Sequence, residues 1–235
     1  MLSRYEVIFF DAGGTLFRPH PSVGEIYSRA AARHGCTADS QAVETRFRDL
    51  WHQRDAMHSL ASHSSEKIEK DWWRSLVAEV FRHFPGLRDF DVFFDELYME
   101  FAGPDSWRLF PETREVLEAL KARGKKLCVI SNWDSRLYKL CEGLQIDHYF
   151  EFILISAVFG ASKPNPRIFE EALRRAGVGP ERAIHIGDSI EDDVHGARRA
   201  GMKSVLIDRH QRRRADPGSF EQVTVIHDLR ELLDF

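Results

Sequence analysis

Four short polar clusters in this sequence carry side chains that together could bind a metal ion and a phosphoryl group. Carboxylates suit a hard, oxygen-binding cation such as Mg²⁺. Hydroxyl, amide and ammonium groups suit the oxygens of a phosphoryl group. Each cluster follows an apolar run of strand length, and the clusters are Asp11–Thr15, Ser131–Asn132, Ser162–Lys163, and Gly187–Asp188 together with Asp192–Asp193.

The elements that precede these clusters must bring them together. The run YEVIFF (5–10) is continuously apolar, which is typical of a strand buried on both faces. Further strand-like runs alternate with amphipathic helices, and they are KLCVIS, FILIS (152–156), AIHIG, SVLID (204–208) and VTVIH. This alternation predicts an α/β fold with a parallel sheet, whose carboxyl ends form one edge and commonly bind ligands.

A block of helical pattern interrupts this alternation after the first strand. It includes the stretches EIYSRAAARHG, SQAVETRFRDLWHQRDAM and DVFFDELYMEFAG. Pro104 and Asp105 follow it as a predicted linker. We therefore predict an inserted helical cap over 18–104 and an α/β core formed by 1–17 and 105–235.

Composition narrows the class of protein. The 235 residues include 33 Lys and Arg against 37 Asp and Glu, a net charge of −4, so there is no basic footprint for nucleic acid. The one basic run, Arg212–Arg214, is expected in a solvated loop. The apolar runs are too short for a membrane span. Three cysteines without CxxC spacing fit a reducing compartment, so we expect a cytoplasmic protein.

Each polar cluster also has a simple structural explanation. A single aspartate after a strand, such as Asp11, is commonly a turn or helix-cap residue. Ser131–Asn132 could cap the next helix, and Asp192–Asp193 could lie at a helix N-terminus where negative charge is favoured. Lys163 could be a surface residue. The joint occurrence of all four clusters after predicted strands favours one shared site.

At these clusters the chain resembles the haloacid dehalogenase superfamily of aspartate-nucleophile hydrolases. FFDAGGTLF is similar to the first motif of that family, VISN to the second, SKPNPRIF to the third and IGDSIEDDVHGARRAGM to the fourth. The altered first motif and the stretch EKDWW favour one subgroup of the family. The resemblance implies a Rossmann-like, doubly wound parallel sheet with an inserted helical cap, acting on a small phosphorylated substrate.

The resemblance also implies a nucleophile and a metal site. Asp11 would attack phosphorus and form an aspartyl phosphate. The Asp11 carboxylate, the Gly13 carbonyl and the Asp188 carboxylate would hold Mg²⁺. Asp192 and Asp193 would not bind the metal directly but would hold its surroundings in place.

A phosphate-binding set is implied in the same way. Ser131 and Lys163 would bind the phosphoryl oxygens, with Thr15 and Asn132 as further substrate-binding residues. Lys163 would also act in catalysis, because its charge separates Asp11 from the second carboxylate.

Position 13 departs from the family pattern. Phosphatases of the family carry an aspartate there that protonates the leaving oxygen and then activates water, and this chain has Gly13. A positioned acid–base group contributes about 10²–10⁴ in rate, or roughly 3–5 kcal/mol. We expect the residues around position 13 to leave space for an acidic side chain there. Substitute acids to consider are His20, Asp134, His52, His58 and His63.

Four functions remain open on this evidence. The first is an Mg²⁺-dependent phosphatase that acts on small phosphorylated metabolites and is slow with poor leaving groups. The second is a catalytically impaired regulatory protein that binds metal and phosphate. A dehalogenase ranks lower because Gly187–Asp188 is present, and a phosphonatase would need Lys67 or Lys70 as an imine-forming lysine. The sequence leaves the substrate and the oligomeric state open.

Overall fold

Strand β1 (Val7–Phe10) lies inside a parallel sheet and is buried along its whole length. Its neighbours are β4 (Lys126–Ser131) on one side and β6 (Ala183–Gly187) on the other, both parallel to it. Because β4 and β6 flank β1, the carboxyl ends of all three strands meet at one edge of the sheet. This is the position where open α/β sheets bind ligands.

The computed structural model describes residues 2–53, 65–209 and 223–234. Within these residues, strands β5 (Ile153–Ile155), β7 (Lys203–Ile207) and β8 (Thr224–Ile226) extend the main sheet. The sheet has six parallel strands in the order β5-β4-β1-β6-β7-β8. The predicted α/β class with a Rossmann-like parallel sheet is confirmed.

Helices cover both faces of the sheet. Ile8 and Phe10 of β1 face one apolar cluster with the first helices after the insertion, whereas Val7 and Phe9 face a second cluster on the opposite side. This alternation explains why β1 reads as one continuous apolar run. The helices are α5 (Thr113–Ala122), α6 (Leu137–Gly143), α7 (Ser156–Phe159), α8 (Pro166–Ala176) and α9 (Gly196–Arg199).

A second, smaller sheet joins the core to the helical segment, a name used here for residues 18–104. Strands β2 (Phe17–Pro19) and β3 (Trp107–Leu109) pair antiparallel, and neither was predicted. The helices between them bury an apolar cluster of their own. They are α1 (Val23–Arg33), α2 (Ser40–Gln53), α3 (Glu66–Phe81) and α4 (Phe90–Glu100). The domain limits at 17/18 and 104/105 stay predictions, and β2 crosses the first of them.

Two other segments differ in detail from the sequence expectation. The predicted linker at Pro104 is a 3₁₀ turn that leads directly into β3. The segment Ile190–His195 is a π-helical turn, in which the Val194 amide donates to the Ser189 carbonyl five residues earlier. His58, His63, Arg212–Arg214 and the side chain of His52 lie outside the described residues. Across the described residues, none of the helices has the length and apolarity needed to cross a bilayer.

Candidate functional site

Asp11 lies immediately after β1, at the edge where the three inner strands end. Its backbone amide donates to the Ile186 carbonyl on β6 at 2.9 Å, which fixes the carboxylate between two strands. The residue is only 7% exposed. A carboxylate held this rigidly at the carboxyl end of a buried strand is well suited to act on a ligand rather than to cap a turn.

Two groups from separate segments hold the same oxygen of Asp11. Lys163 Nζ donates to Asp11 Oδ1 at 2.7 Å, and Ser131 Oγ donates to it at 3.1 Å. Asn132 positions the lysine, because its side-chain amide exchanges two hydrogen bonds with the Lys163 backbone at 2.8 and 2.9 Å. Asp11 Oδ2 accepts no hydrogen bond from the residues that the structure describes.

Asp193 is the second partner of Lys163, at 2.6 Å. The same oxygen lies 2.8 Å from His185 Nε2, and the other oxygen accepts from the Ser189 amide at 3.0 Å. Lys163, His185 and Asp193 are all buried. Both oxygens of Asp193 are therefore already used within the protein, and this carboxylate anchors Lys163 from below.

The electrostatics of this cluster follow from burial and pairing. Burial raises the pKa of Asp11, and the neighbouring Lys163 ammonium opposes that rise. Burial acts in the same direction on Asp193, but Lys163 and His185 outweigh it and leave its pKa below the ordinary value. Burial would lower the pKa of Lys163, yet the two carboxylates raise it overall. Lys163 is therefore a permanent cation beneath Asp11.

Asp188 brings a further carboxylate to Asp11 from the end of β6. Ligand oxygens of Asp11, Asp188 and Asp193 all lie within 4.8 Å of one another. Asp188 is exposed towards the adjoining cavity. The protein around it still removes much of the bulk water, and together with the charge of Asp11 this raises its pKa to about 8. A bound cation would relieve the repulsion between these crowded carboxylates.

The donor set fits a hard divalent ion. Asp11 and Asp188 present carboxylate oxygens towards the cavity, and Gly13 lines the same cavity with its backbone. Gly14 makes this approach possible, since its φ is +81° and a Cβ there would lie 2.3 Å from Asp188 Oδ2. Oxygen-only donors of this type are those that Mg²⁺ prefers.

Trp133 stands beside Gly13 and occupies the space of a side chain there. A Cβ at position 13 would lie 2.7 Å from Trp133 Cζ3. The indole is held by edge contacts with Phe17 and by packing on Trp107, at ring distances of 5.8 and 5.1 Å. The expectation that the surroundings keep the shape for an acid at position 13 is therefore wrong, because the tryptophan fills that shape.

A cavity of about 670 Å³ lies over this cluster, between the strand ends and the helical segment. The predicted residues Asp11, Gly13, Ser131, Asn132, Lys163, Asp188, Asp192 and Asp193 all line it. Thr15 does not line it. Its side chain is fully buried, and its hydroxyl has no hydrogen-bond partner among the described residues.

Arg209, which is not among the predicted site residues, braces the loop that carries Gly13 and Gly14. Its guanidinium donates to the Thr15 carbonyl at 2.6 Å, to the Gly14 carbonyl at 3.2 Å and to Glu112 at 2.7 Å. The arginine follows β7, so the last strands also help to set the position of Asp11. A single arginine in a polar stretch carries no sequence signal for this role.

The substitute acids within the described residues are poorly placed. Asp134 is fully buried, and its two oxygens accept from Arg136 and from Trp73 Nε1 at 2.6–3.0 Å. His20 does not line the cavity. Lys67 and Lys70 do not line it either, and they pair with Asp71 and Asp95 on the surface of the helical segment. Neither lysine is placed for imine chemistry.

The stretch EKDWW connects the helical segment to the loop after β4. Glu69 accepts from the Ser135 amide and hydroxyl at 3.2 and 2.6 Å, and Trp73 donates to Asp134 one turn further along α3. Arg136 in the same loop donates to the Tyr98 carbonyl on α4 at 3.2 Å. These contacts fix the distance between the helical segment, which lines one side of the cavity, and Asp11 on the other side.

Known proteins share this arrangement of motifs. The haloacid dehalogenase-like hydrolase family matches residues 5–201. A human protein named haloacid dehalogenase-like hydrolase domain-containing protein 3 is 34% identical over 206 residues, which cover 86% of this chain and 81% of that protein. A glyceraldehyde 3-phosphate phosphatase from Methanothermobacter thermautotrophicus is 38% identical over 130 residues, covering 53% of this chain and 57% of that protein.

A solved structure shows the same fold across nearly the whole molecule. The crystal structure of a haloacid dehalogenase-type phosphatase from Thermococcus onnurineus superposes with a TM-score of 0.67 at 24% identity, covering 97% of this chain and 96% of that one. The family match spans the segments that carry Asp11, Ser131, Lys163 and Asp188. On this evidence the chain belongs to the haloacid dehalogenase-like hydrolase family.

Proposed function

We propose that this hydrolase is an Mg²⁺-dependent phosphatase that cleaves small phosphate monoesters through an aspartyl phosphate at Asp11. The observation that carries the proposal is the setting of Asp11. One of its oxygens is held by Lys163 and Ser131 at the floor of the cavity, and the Asp188 carboxylate lies beside it. A cation and a hydroxyl next to a nucleophile are what a phosphoryl group needs for binding and attack.

The reaction has two steps on this chain. The Asp11 carboxylate attacks phosphorus, the bond from phosphorus to the leaving oxygen breaks, and that oxygen departs with the bonding electrons. Water then attacks the phosphorus of the aspartyl phosphate, releasing phosphate and restoring the carboxylate. Lys163 and Ser131 stabilise the charge on the phosphoryl oxygens in both steps. Asn132 keeps Lys163 in place through its two backbone hydrogen bonds.

In this proposal Asp11, Gly13 and Asp188 hold Mg²⁺, and Asp192 and Asp193 support that shell. When bound, the ion supplies positive charge to the phosphoryl oxygens and removes the repulsion between the two carboxylates. The name of the phosphatase relative from Methanothermobacter thermautotrophicus supports a phosphate ester as substrate class. The helical segment acts as the cap that covers the leaving group. Thr15 contributes through the conformation of its loop.

The remaining parts of the proposal concern the surroundings of the enzyme. The partner is a small phosphorylated molecule and not a nucleic acid, which the net charge of −4 supports. Cys36, Cys128 and Cys141 are free and buried, which fits the reducing cytoplasm.

Metal dependence tests the proposal directly. Wild type should hydrolyse p-nitrophenyl phosphate with Mg²⁺ and lose that activity with excess chelator. Asp188→Asn should weaken Mg²⁺ binding measured by calorimetry by about tenfold or more, because one carboxylate ligand is lost. The control is Asp147→Asn, an exposed aspartate away from the cavity. Equal Mg²⁺ affinity in wild type and Asp188→Asn would rule out this metal site.

Gly13 and Trp133 give a second expected result. Gly13→Asp alone should destabilise the protein by about 1–3 kcal/mol through overpacking against the indole, and should not speed the hydrolysis of alkyl phosphates. In Gly13→Asp/Trp133→Ala the new carboxylate has room. The ratio of kcat/KM for an alkyl phosphate to that for p-nitrophenyl phosphate should then rise by up to about 10²-fold.

Trp133→Ala alone is the control for that measurement. It removes the indole without adding an acid, so it measures how far loss of the indole alone changes the ratio, and the double variant should exceed this value by the contribution of the new carboxylate. If Gly13→Asp alone is as stable as wild type and hydrolyses alkyl phosphates faster, Trp133 does not block the acid position.

A regulatory protein that binds metal and phosphate without turnover is the second candidate. One observation favours it, namely that Trp133 fills the position of the acid at residue 13. Tight binding of phosphate with Mg²⁺, in the absence of any hydrolysis of p-nitrophenyl phosphate, would decide for this candidate.

A further inference from the structure

We infer that the leaving group of the substrate is a phenolate, whose oxygen is attached to an aromatic ring. The site would then select aryl phosphate monoesters. This inference rests on the proposed function for the identity of the phosphoryl site. It adds the chemical class of the group that enters the rest of the cavity. Three separate features of the described residues point to it.

The first feature is the clustering of tryptophan around the cavity. The chain has five tryptophans, and Trp51, Trp73, Trp107 and Trp133 line this one cavity. Trp72 packs edge-on against Trp51 and Trp73, at ring distances of 6.0 and 5.1 Å. All five are only partly buried. Large aromatic faces left open at a ligand cavity favour a flat ring by stacking and edge contacts.

The second feature is the scarcity of polar groups above the phosphoryl site. Every described residue that the helical segment contributes to the lining, with 54–64 left aside, is apolar or aromatic, including Phe47, Phe94 and Leu97. Arg136, in the loop after β4, also lines the cavity, but it is already used by Asp134 and lies 4.0 Å over the Tyr98 ring. The other polar lining residues beyond the phosphate-binding set belong to the core loops that follow β4 and β6, and they are Asn132, Ser189, Glu191 and Asp192. A sugar would bury hydroxyls without partners here, at a cost that an aromatic ring avoids.

Tyr98 offers one further polar group. It lines the cavity, and its hydroxyl is buried without a hydrogen-bond partner among the described residues. Buried hydroxyls are normally paired, so this one is suited to a single polar substituent on the ring. The cavity volume of about 670 Å³ leaves room for a ring beyond the phosphoryl group.

The third feature is the missing acid. With Gly13 and Trp133 at the acid position, a leaving oxygen receives no proton from residue 13. A phenolate departs with its charge delocalised into the ring, whereas an alkoxide needs that proton. The absence of an acid at residue 13 and the apolar lining from the helical segment therefore select the same kind of leaving group.

Binding of non-hydrolysable phosphonates tests this inference without relying on turnover. Phenylphosphonate and cyclohexylphosphonate have similar size and apolar area, but only the first is flat and aromatic. Calorimetry on this protein with Mg²⁺ should give phenylphosphonate an affinity about tenfold higher, from two or more ring contacts. Methylphosphonate gives the reference affinity for the phosphoryl site alone.

A matched pair of variants locates the effect. Phe47 and Phe90 are both partly buried aromatics of the helical segment, but only Phe47 lines the cavity. Phe47→Leu should lower the affinity for phenylphosphonate by about fivefold relative to methylphosphonate, and Phe90→Leu should leave this ratio unchanged.

The outcomes separate the inference from the proposed function. Selective binding of phenylphosphonate without hydrolysis of any phosphate ester would support the aromatic site and contradict the phosphatase. Hydrolysis of phosphate esters with equal affinity for phenylphosphonate and cyclohexylphosphonate would overturn the aromatic site and leave the phosphatase standing.

Discussion

Asp11→Asn should reduce turnover of p-nitrophenyl phosphate by about 10⁴-fold or more while the protein keeps its fold. The asparagine side chain has the size of the aspartate, and its carbonyl oxygen can still accept from Lys163 and Ser131 in place of Oδ1. An amide is a poor nucleophile, so attack on phosphorus stops. Measurements of kcat and of the circular dichroism spectrum separate loss of chemistry from loss of structure.

The control for this variant is again Asp147→Asn, which removes one negative charge at an exposed position outside the cavity. Its turnover should equal that of wild type. If Asp11→Asn retains a substantial part of the wild-type rate in protein whose substitution is verified by mass spectrometry, Asp11 is not the nucleophile.

Lys163→Met should destabilise the fold and abolish activity together. The lysine side chain is 2% exposed, and its ammonium pairs at 2.6–2.7 Å with two buried carboxylates. Methionine fills a similar volume but leaves Asp11 and Asp193 without their cation. Removing one partner from a buried ion pair costs about 3–5 kcal/mol, which urea unfolding should measure as a fall in the free energy of unfolding.

An exposed lysine provides the comparison. Lys121 pairs with Glu151 at 3.1 Å, and both side chains are substantially exposed, so Lys121→Met should change stability by less than about 1 kcal/mol. Adding Asp193→Asn to Lys163→Met should recover part of the lost stability, since one uncompensated charge is removed. A Lys163→Met variant as stable as wild type would contradict the electrostatic account of the cluster.

The sequence predicts the sheet well because its signal is local. The apolar run ending at Phe10 needs only burial on both faces to be recognised, and polar residues at the ends of parallel strands must share one edge. Asp11, Ser131 and Asp188 are therefore expected at one edge of the sheet, and the structure has them there.

Contacts between segments that are distant in the sequence leave no local pattern from which to predict them. Trp133 meets Gly13 only because β1 and β4 are neighbours and because Phe17 and Trp107 pack against the indole. The sequence suggested Asp134 as a substitute acid, but Trp73 from the helical segment donates a hydrogen bond to one of its oxygens. Strands β2 and β3 have three residues each, too few for a recognisable alternation.

The central claim is that Asp11 becomes phosphorylated during turnover, and a rapid-quench experiment tests it most directly. Protein is mixed with Mg²⁺ and ³²P-labelled p-nitrophenyl phosphate, quenched in acid within the first turnover, and digested for peptide mapping. We predict hydroxylamine-sensitive label on the peptide that contains Asp11, and none in Asp11→Asn. Release of phosphate without label at Asp11, or with label on another residue, would contradict the account.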